Sequence, residues 1–474
     1  MKNSMKIERA ETQEKSGGAV GARRVPRSRQ AEVGDVDRDP VELLKLSSAD
    51  RVERLVPLRY GRMIASPFAF FRGSAIIQAH DLAGTPDSGL VLQICGDCHL
   101  ANFGGFATPE RRLLFDLNDF DETSEGPWEW DLKRLVVSFV LAARNLGFKA
   151  RQAEELVYAV TQGYQSRMQT YAEMSILETW YDQITLERVL GESTEPEMQR
   201  RIRRAMERAA TRTHESLLPK LTRREGDRLI ILDAPPAVFH IQGEQTLFSP
   251  DDDLLKLKNL ESARAAAFSE YLSTLALDRR RLLGHFSFQD LAFKVVGVGS
   301  VGTRCVIMLM MDRHGKPLFL QFKEATQSVI ARYRANGKSG HEGQRVVEGQ
   351  RLMQAASDPF LGWAKGPLGR HFYARQLRDM KLSAQIELMD VDLLARYGAL
   401  CGWVLARAHA KASGLAAEIS EYVGRSDRMS DALIAYSSRY ADQVERDYER
   451  FAAACRSGEL EARTDEDMAA DFRI

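Results

Sequence analysis

The chain has 474 residues, and its 66 Lys and Arg residues balance 66 Asp and Glu residues. A formal net charge of zero argues against a general nucleic-acid or membrane-surface binder, because such proteins usually carry a basic excess. Hydrophobic residues at 44% and charged residues at 28% are typical of a globular protein, and the length predicts two or three subdomains. Five cysteines, a polar N-terminus without a secretion signal and no apolar run long enough for a membrane span favour a cytoplasmic location.

The first half of the sequence predicts helices that flank short strands. Residues 1–40 mix Gly, Ser, Arg and Glu without periodicity, so they are predicted to form a disordered tail. In chain order there follow a helical stretch at 51–63, an aromatic segment at 66–73, strands at 90–94, 102–106 and 113–115, and a largely helical region from 131 to about 225.

From residue 293 the pattern changes to strands and then returns to helices, which indicates an α+β fold with a large helical portion. The predicted elements are strands at 293–298, 305–311 and 318–322, a helix at 343–355, a strand at 371–376 and C-terminal helices.

Two polar clusters follow predicted strands in the first half. The first, at 96–102, contains Asp97 and Asn102, and the second, at 115–122, contains Asp116. Phosphoryl transfer uses a carboxylate that accepts the hydroxyl proton, together with an Asn and a second Asp that hold Mg²⁺. The alternative is a turn-rich acidic loop, since Asp and Asn are common turn residues, but the apolar flanks on both sides favour a site.

The first cluster overlaps Cys95-x-x-Cys98-His99, the pattern for covalent haem attachment. Haem is attached in this way in exported proteins, and the sequence carries no export signal. The neighbouring carboxylates favour phosphate chemistry over haem, and a redox dithiol is a further alternative.

A G-x-G-x-x-G pattern in the second half forms a further candidate site. Its residues that can approach a phosphate are Gly297, Gly299, Ser300 and Gly302. A dinucleotide-binding loop would open a helix, whereas the residues after this loop are β-type. A strand, a glycine loop, a second strand and a Lys on the next strand form the arrangement with which kinases cover nucleotide phosphates.

Lys323 lies just past the third predicted strand segment and is the candidate for the phosphate-binding Lys. An ordinary edge-strand Lys is the structural alternative. The carboxylate that pairs with this Lys is expected on the next helix, where Glu348 is the first choice and Glu342 the second.

A basic stretch between residues 200 and 212 contains Arg200, Arg201, Arg203, Arg204, Arg208 and Arg212. On a helix these side chains point in several directions, so a solvated face with ion pairs is favoured over a nucleic-acid surface.

Three short motifs resemble the protein-kinase-like superfamily. Gly96-Asp97-x-His99-x-x-Asn102 is similar to the catalytic loop of aminoglycoside and choline phosphotransferases. Phe115-Asp116 is similar to their metal-binding strand end. Trp130-Asp131-Leu132 resembles the helix opening downstream, whose Asp braces the catalytic loop.

Longer segments resemble an uncharacterised bacterial family, domain of unknown function 2252, which has no established reaction to transfer. These segments lie at 66–73, 95–131, 296–303 and 319–325.

The resemblance implies a two-lobed protein-kinase-like fold with ATP and Mg²⁺ as cofactors. The catalytic-loop motif precedes the glycine loop here, the reverse of the order in kinases, which implies a circular permutation. The implied organisation is a tail at 1–40, the catalytic-loop and metal-loop part of the large lobe at 41–150, a helical region at 151–285, a small β-rich lobe with the glycine loop and Lys at 286–390, and C-terminal helices of the large lobe at 391–474.

The resemblance also assigns roles to the first cluster and its neighbours. Asp97 is the general base or the group that orients the hydroxyl, and His99 beside it fits a structural hydrogen-bonding role better than a second base. Arg59 and Arg72 are expected either to reach phosphate or to pair with the acidic loop, and His409 is expected to be structural.

For the metal, the resemblance implies Asn102 and Asp116 as Mg²⁺ ligands. Asp119 and Asp121 are rival ligands, because the acidic run permits more than one register.

The leading functional hypothesis is an ATP- and Mg²⁺-dependent phosphotransferase that acts on an unknown small-molecule or protein hydroxyl. A nucleotide-binding, pseudokinase-like regulatory protein and an AMP-transferring enzyme are the alternatives. Nucleic-acid binding through the basic stretch is a third hypothesis, and no membrane partner is expected.

Overall fold

The computed structural model describes residues 24–192, 196–226, 228–257, 259–334, 340–377 and 380–472. Up to residue 221 the chain is mainly helical, with short strands beside two loops. Its elements are α1 (Pro40–Leu46), α2 (Val56–Met63), α3 (Pro67–Gly73), α4 (Ala75–Ala83), β1 (Val91–Ile94), β2 (Phe103–Ala107), β3 (Leu113–Leu117), β4 (Ser124–Pro127), α5 (Trp128–Asn145), α6 (Ala150–Glu173), α7 (Ile176–Tyr181), α8 (Leu186–Glu192), α9 (Pro196–Ala210) and α10 (His214–Leu221).

The rest of the chain alternates strands with helices and ends in long helices. Its elements are β5 (Thr222–Glu225), β6 (Arg228–Ile231), β7 (Val238–Phe239), α11 (Leu260–Ser273), α12 (Leu277–Leu283), β8 (Phe286–Lys294), β9 (Cys305–Asp312), β10 (Pro317–Glu324), α13 (Val329–Arg332), α14 (Glu342–Met353), β11 (Gly362–Lys365), β12 (His371–Gln376), β13 (Leu382–Ser383), α15 (Val391–Ser413), α16 (Ala416–Val423), α17 (Arg428–Ser457) and α18 (Asp465–Ala470). Among the helices described, none combines the length and the apolar character that crossing a membrane requires.

Several helices begin where the sequence supplies a capping side chain. Asp39 accepts a hydrogen bond from the backbone N–H of Val41 at the start of α1, and Pro40 occupies the first helical position. Asp390 caps α15 in the same way, and Gly414 ends that helix with a left-handed φ of 67°. These local signals fix the helix ends, while burial of apolar faces determines how the helices pack.

A six-stranded antiparallel sheet with the order β11-β12-β10-β9-β8-β7 dominates the second half. Because strand side chains alternate between faces, Leu320 of β10 packs with Tyr271 of α11 on one face, while Phe319 packs with Leu217 of α10 on the other. Lys323 lies an even number of residues from Phe319 and therefore shares its face. The strand pattern thus aims Lys323 away from the apolar cluster under α11.

Two smaller strand groups frame the polar clusters. β2 and β3 form a hairpin that β13 extends, and β1 pairs with β4. The connections from β1 to β2 and from β3 to β4 carry the two clusters, and α5 follows β4 directly. The clusters therefore lie on loops between short, mostly buried strands and an almost fully buried helix.

The predicted α+β fold with a large helical portion is confirmed, and β12 has the predicted bounds. The strand predicted at 293–298 was placed too late, because β8 ends at Lys294 and the glycine-rich segment then turns. The region predicted as helical at 151–285 also contains β5, β6 and β7, of which β7 pairs with β8 in the main sheet. Short polar strands of this kind carry little periodic signal.

The predicted disordered tail at 1–40 is too long. Residues 1–23 lie outside the described residues, and from residue 24 onward the chain packs on the helices. Gln30 is buried and donates to the Tyr422 hydroxyl at 2.9 Å. Arg38 donates to the carboxylates of both Asp81 and Asp447 at distances of 2.6–3.0 Å. These charge-assisted contacts involve partners distant in sequence, which is why composition alone predicted disorder.

We predict that His240 makes the stability of the sheet edge pH-dependent. Its ring lies 3.1 Å from Asp290 and 2.9 Å from Asp233, and the Asp290 hydrogen bond, opposed by burial and assisted by Asp233, raises the pKa of His240 to about 9. The protonated ring therefore stabilises the fold fully below its ordinary pKa of about 6.5, and this contribution is lost as the pH rises through about 9. In His240→Gln the decline of the free energy of unfolding between these pH values becomes shallower, as measured by urea denaturation at a series of pH values.

The exposed His314 in the turn after β9 provides the matched control. His314→Gln keeps the wild-type pH dependence. Equal slopes for wild type and His240→Gln would contradict the prediction.

Candidate functional site

One cavity of about 190 Å³ collects side chains from distant parts of the chain. Its wall includes Asp97 from the loop after β1, Asp119 from the loop after β3, Lys323 from β10 and the glycine loop from Gly297 to Ser300. The structure therefore brings together the two constellations that the sequence placed about two hundred residues apart.

The loop after β1, residues 95–102, presents Asp97 on a rigid support. Oδ1 of Asp97 accepts a hydrogen bond of 2.7 Å from Nε of Arg134, an almost fully buried residue of α5. Arg134 also donates to the Phe71 carbonyl at 2.7 Å and stacks on the Phe71 ring. Oδ2 of Asp97 lies 3.9 Å from Nε2 of His99. One carboxylate oxygen is thus fixed while the other has no hydrogen-bond donor within the described residues.

The backbone of this loop is braced by Asp131, as the resemblance implied. The Asp131 carboxylate accepts hydrogen bonds from the N–H groups of Cys95 at 2.7 Å and Gly96 at 2.8 Å. His409 lies 3.2 Å from the same carboxylate and 2.9 Å from the Tyr164 hydroxyl, so its expected structural role agrees with its contacts. Gly96 has a φ of 85°, and a Cβ there would approach the Glu122 carbonyl to 2.1 Å, so only glycine fits this turn.

His99 and Asn102 close the loop around Asp97. Asn102 donates through Nδ2 to the Asp97 carbonyl at 2.7 Å, and it lines the cavity. His99 is buried, and burial together with the charges of Arg72 and Arg134 holds its pKa well below the ordinary value. A lowered pKa makes His99 a weak base, which fits the structural role better than that of a proton acceptor.

The loop after β3, residues 118–123, supplies two carboxylates that face Lys323. Asp121 forms an ion pair with Lys323 and accepts hydrogen bonds from the Tyr373 hydroxyl at 2.7 Å and from Ser300 at 3.2 Å. Burial opposes charge on Lys323, but the carboxylates of Asp119 and Asp121 outweigh it and raise the pKa of the Lys above its ordinary value. Lys323 is therefore a buried, charged residue of the cavity and not an edge-strand Lys.

Asp119 of this loop forms no ion pair with a cationic side chain among the described residues. It lines the cavity, and among the described residues its side chain accepts only the long, 3.3 Å hydrogen bond from the Asp121 N–H. Burial and the neighbouring Asp121 raise the pKa of Asp119. Lys323 and Arg375 act in the opposite direction and do not fully offset the burial.

Asp116, the first choice for a metal ligand, is not in the cavity. Its carboxylate is 1% exposed and accepts hydrogen bonds from Arg407 of α15 at 2.8 and 3.0 Å and from the Ala355 N–H at 2.9 Å. These partners occupy both oxygens, so Asp116 is a structural anion. Of the sequence candidates, Asn102, Asp119 and Asp121 line the cavity.

Glu348, the first choice for the partner of Lys323, is not near it either. Glu348 is exposed on α14 and accepts a hydrogen bond from Gln344, and Glu342 pairs with Arg345. The same helix acts on the acidic loop through Arg345, which donates to the Asp121 carbonyl at 2.9 Å. The carboxylate expected from α14 thus comes from the loop after β3.

The glycine loop is held from outside by the segment before α2. Arg51 donates to the carbonyls of Gly299 and Val301, and the Val52 N–H donates to the Gly302 carbonyl at 2.8 Å. These contacts fix the loop against the first part of the chain. The loop therefore covers the cavity in a defined position.

The cavity carries more basic than acidic side chains. Its charged lining consists of Arg51, Arg59, Arg72, Lys323 and Arg375 against Asp97, Asp119, Asp121 and Glu122. Burial raises the pKa of Glu122 to about 7, which lowers the negative charge further. A small polar cavity with excess positive charge suits an anionic ligand.

Sequence analysis missed Arg51, Arg134, Tyr373 and Arg375. Tyr373 and Arg375 lie two positions apart on β12, and the alternation of that predicted strand could have placed both on one face. Arg51 and Arg134 act through partners distant in sequence, for which a single sequence gives no signal.

The two cysteines of the C-x-x-C-H pattern and the basic stretch do not line the cavity. Cys95 and Cys98 are buried thiols, and Sγ of Cys95 donates to the Asp119 carbonyl, so they support the loop. The basic stretch lies largely on α9, where Arg201 forms an exposed ion pair with Glu197, in agreement with a solvated face.

We predict that Asp116→Asn destabilises the fold because it leaves Arg407 as a buried, uncompensated charge. Loss of one partner of a buried ion pair costs about 3–5 kcal/mol of unfolding free energy, and urea denaturation measures the change. The double variant Asp116→Asn/Arg407→Met removes the orphaned charge and is less destabilised than the single variant. A loss below about 1 kcal/mol in Asp116→Asn would contradict the structural role.

Comparison with known proteins gives a family but no characterised relative. No curated protein and no solved structure matches the chain. A family model described as "Uncharacterized protein conserved in bacteria (DUF2252)" matches residues 51–454, a span that includes both loops, the glycine loop and Lys323. The chain belongs to this family, domain of unknown function 2252.

Proposed function

We propose that the protein is an ATP- and Mg²⁺-dependent phosphotransferase that acts on a hydroxyl acceptor. The observation that carries the proposal is the convergence of a glycine loop, a buried charged Lys323, Asp97 and the Asn102–Asp119 pair on one cavity. These are the parts that phosphoryl transfer requires, because its catalysis consists of positioning and of stabilising charge on the phosphoryl oxygens.

On the donor side, the glycine loop supports the proposal through the free space at Gly297. A Cβ on Gly297 would meet no atom within 4 Å, and its φ of −57° is accessible to any residue. Packing therefore does not require glycine at this position. The close approach of a phosphate to the loop backbone would require it.

The residues of the acidic loop fit Mg²⁺ bound together with phosphate. The described residues contain no group of three His, Cys, Asp or Glu side chains that would hold a metal alone. Magnesium is usually held by one or two carboxylates with phosphate oxygens and water, and Asp119 lines the cavity with a single long hydrogen bond to its side chain among the described residues. Asn102 and Asp119 would hold the ion, which neutralises phosphate charge when bound.

On the acceptor side, Asp97 has the arrangement of a proton acceptor. Arg134 fixes Oδ1, and Oδ2 is available to a hydroxyl in the cavity. In the transfer, the acceptor oxygen bonds to the terminal phosphorus of ATP as the bond to the bridging oxygen breaks. The hydroxyl proton passes to Asp97, and ADP leaves.

The proposal includes a kinase-like arrangement in rearranged chain order. Three features support it: the glycine loop between β8 and β9, Lys323 on the adjacent β10, and Asp131 bracing the loop that carries Asp97. The partner of Lys323 departs from the kinase pattern, since Asp121 replaces the helix carboxylate.

We predict that Asp97→Asn and Asp119→Asn each reduce ADP formation from ATP at least about a hundredfold in the presence of Mg²⁺. Glu348→Gln on exposed α14 is the matched carboxylate control and retains wild-type turnover. Circular dichroism and thermal unfolding establish that the variants are folded. Unchanged ADP formation in both Asp variants would overturn the proposal.

Labelling ATP at its α- or γ-phosphate, and following which label is transferred, distinguishes the alternative functions. Transfer of γ-label with release of ADP supports phosphoryl transfer. Transfer of α-label with release of pyrophosphate indicates an AMP-transferring enzyme. Thermal stabilisation by ATP without turnover of either label indicates a nucleotide-binding regulatory protein.

We predict that one substitution in the glycine loop weakens ATP binding and that another lowers the stability of the fold. Gly297→Ala leaves the free energy of unfolding unchanged within about 0.5 kcal/mol but weakens ATP binding, because the new methyl group occupies phosphate space. Gly302 has a φ of 85° and lies against Arg51, so Gly302→Ala lowers the free energy of unfolding by about 1–2 kcal/mol. Urea denaturation and calorimetric titration with ATP measure the two effects. Wild-type ATP affinity in Gly297→Ala would contradict the assignment.

A further inference from the structure

Arg72, at the C-terminal end of α3, lines the cavity without a partner of its own. Among the described residues its guanidinium makes no hydrogen bond or ion pair, and its Nε is buried and unsatisfied. The ring centre of Phe68 lies 5.8 Å from its guanidinium carbon. The Arg72 side chain is half-buried, so its charge stays accessible from the cavity and is free to pair with an anionic ligand.

The other basic residues of the cavity are already engaged. Lys323 pairs with Asp121, Arg51 donates to glycine-loop carbonyls, and Arg59 donates to the Gly73 carbonyl at 2.8 Å. Arg375 donates to Gln321 and to the Asn118 carbonyl, both at 3.2 Å. Arg72 is thus the basic residue of the lining with full donor capacity left for a ligand.

Arg72 lies between the glycine loop and the loop that carries Asp97. Its carbonyl is 3.4 Å from the point where a Cβ of Gly299 would lie, and its charge acts on both Asp97 and His99. Asp97 does not need Arg72 as a counter-ion, because Arg134 already pairs with it at 2.7 Å.

Arg72 is not the only lining residue with an unsatisfied nitrogen among the described residues. His99 is 4% exposed, and its Nδ1 is buried without a hydrogen-bond partner, as is Nε of Arg59. All three residues line the cavity, but Arg59 already donates through its terminal nitrogens, whereas Arg72 does not. The planar donor fork of Arg matches the oxygens of a phosphate group.

We propose that Arg72 binds a phosphate-type oxyanion at the Asp97 end of the cavity. The inference deepens the phosphotransferase function and rests on it for the identity of the ligand. Two sources offer this chemistry: the terminal phosphate of the donor nucleotide, and a phosphate group on the hydroxyl acceptor. In the first case Arg72 contacts the phosphoryl group during transfer, and in the second it selects a phosphorylated acceptor.

The test measures anion binding by calorimetric titration of the full chain with Mg²⁺ present. Wild type, Arg72→Gln and Arg72→Lys are compared, with Arg54→Gln as control because Arg54 is an exposed arginine near the same segment and outside the cavity. The probes are tripolyphosphate, ADP, the β,γ-imido analogue of ATP, and inorganic phosphate added to the ADP-loaded protein. Arg72→Lys retains the charge and serves if Arg72→Gln fails to fold.

Loss of a charged hydrogen-bonding partner is expected to lower the affinity for the contacted anion about ten- to a hundredfold. If Arg72 contacts the terminal phosphate of the donor nucleotide, Arg72→Gln binds the imido analogue and tripolyphosphate more weakly. Its affinity for ADP then stays within about twofold of the wild-type value. An acceptor contact leaves both nucleotides unchanged and abolishes phosphate binding to the ADP-loaded protein. Arg54→Gln behaves as wild type in either case.

The proposal is overturned if Arg72→Gln binds every probe as the wild type does, or if the wild type binds none of them. Failure of the phosphotransferase function has a different signature. In that case the wild type binds tripolyphosphate in an Arg72-dependent way but binds neither nucleotide. This result supports the oxyanion site and shows that ATP is not its ligand.

Discussion

The cavity depends on the ion pair between buried Lys323 and half-buried Asp121, which joins residues 202 positions apart. A buried charge without a partner is strongly unfavourable, so Lys323 depends on the carboxylate of Asp121 at its position. Tyr373 of β12 and Ser300 of the glycine loop also donate to Asp121, so three segments of the sheet converge on one carboxylate. This pair aligns the sheet with the loop after β3 and thereby fixes the distance between the glycine loop and Asp119. A ligand that competes for Lys323 must replace the charge of Asp121, which favours a ligand that brings negative charge of its own.

Burial of charge also explains why the acidic run divides into structural and cavity-lining members. Asp116 is neutralised by Arg407, Asp121 by Lys323, and Asp131 accepts backbone N–H groups, whereas Asp119 has no cation in contact among the described residues. The partnered carboxylates stabilise the fold, whereas burial and the neighbouring Asp121 raise the pKa of Asp119. The arginines divide in the same way, because Nε of Arg134 donates to Asp97 whereas Nε of Arg72 has no partner among the described residues. Ligand chemistry is expected where such unsatisfied groups also line the cavity, as Asp119 and Arg72 do.

Much of the fold and part of the site could be predicted from the sequence because their signals are local. Strand alternation located β10 and β12, and the residues after β1 and β3 line the cavity. The partner of Lys323 could not be predicted, since a helix carboxylate and a loop carboxylate fit the spacing equally well. The sequence also did not indicate that Asp116 lies outside the cavity, because its partner Arg407 lies 291 residues away. Long-range pairs of this kind leave no periodic trace in a single sequence, which is also why the ordered segment containing Arg38 was expected to be disordered.

The segment at 47–73 explains how the two halves of the site keep their relative position despite their separation in the chain. At one end Val52 and Arg51 hold the glycine loop, and Arg62 donates to the Val296 carbonyl at 2.8 Å. At the other end the Phe71 carbonyl accepts a hydrogen bond from Arg134, the residue that fixes Asp97. The segment therefore connects both walls of the cavity through direct hydrogen bonds. Because these bonds set the geometry, the order in which the two walls occur along the chain places no constraint on the site.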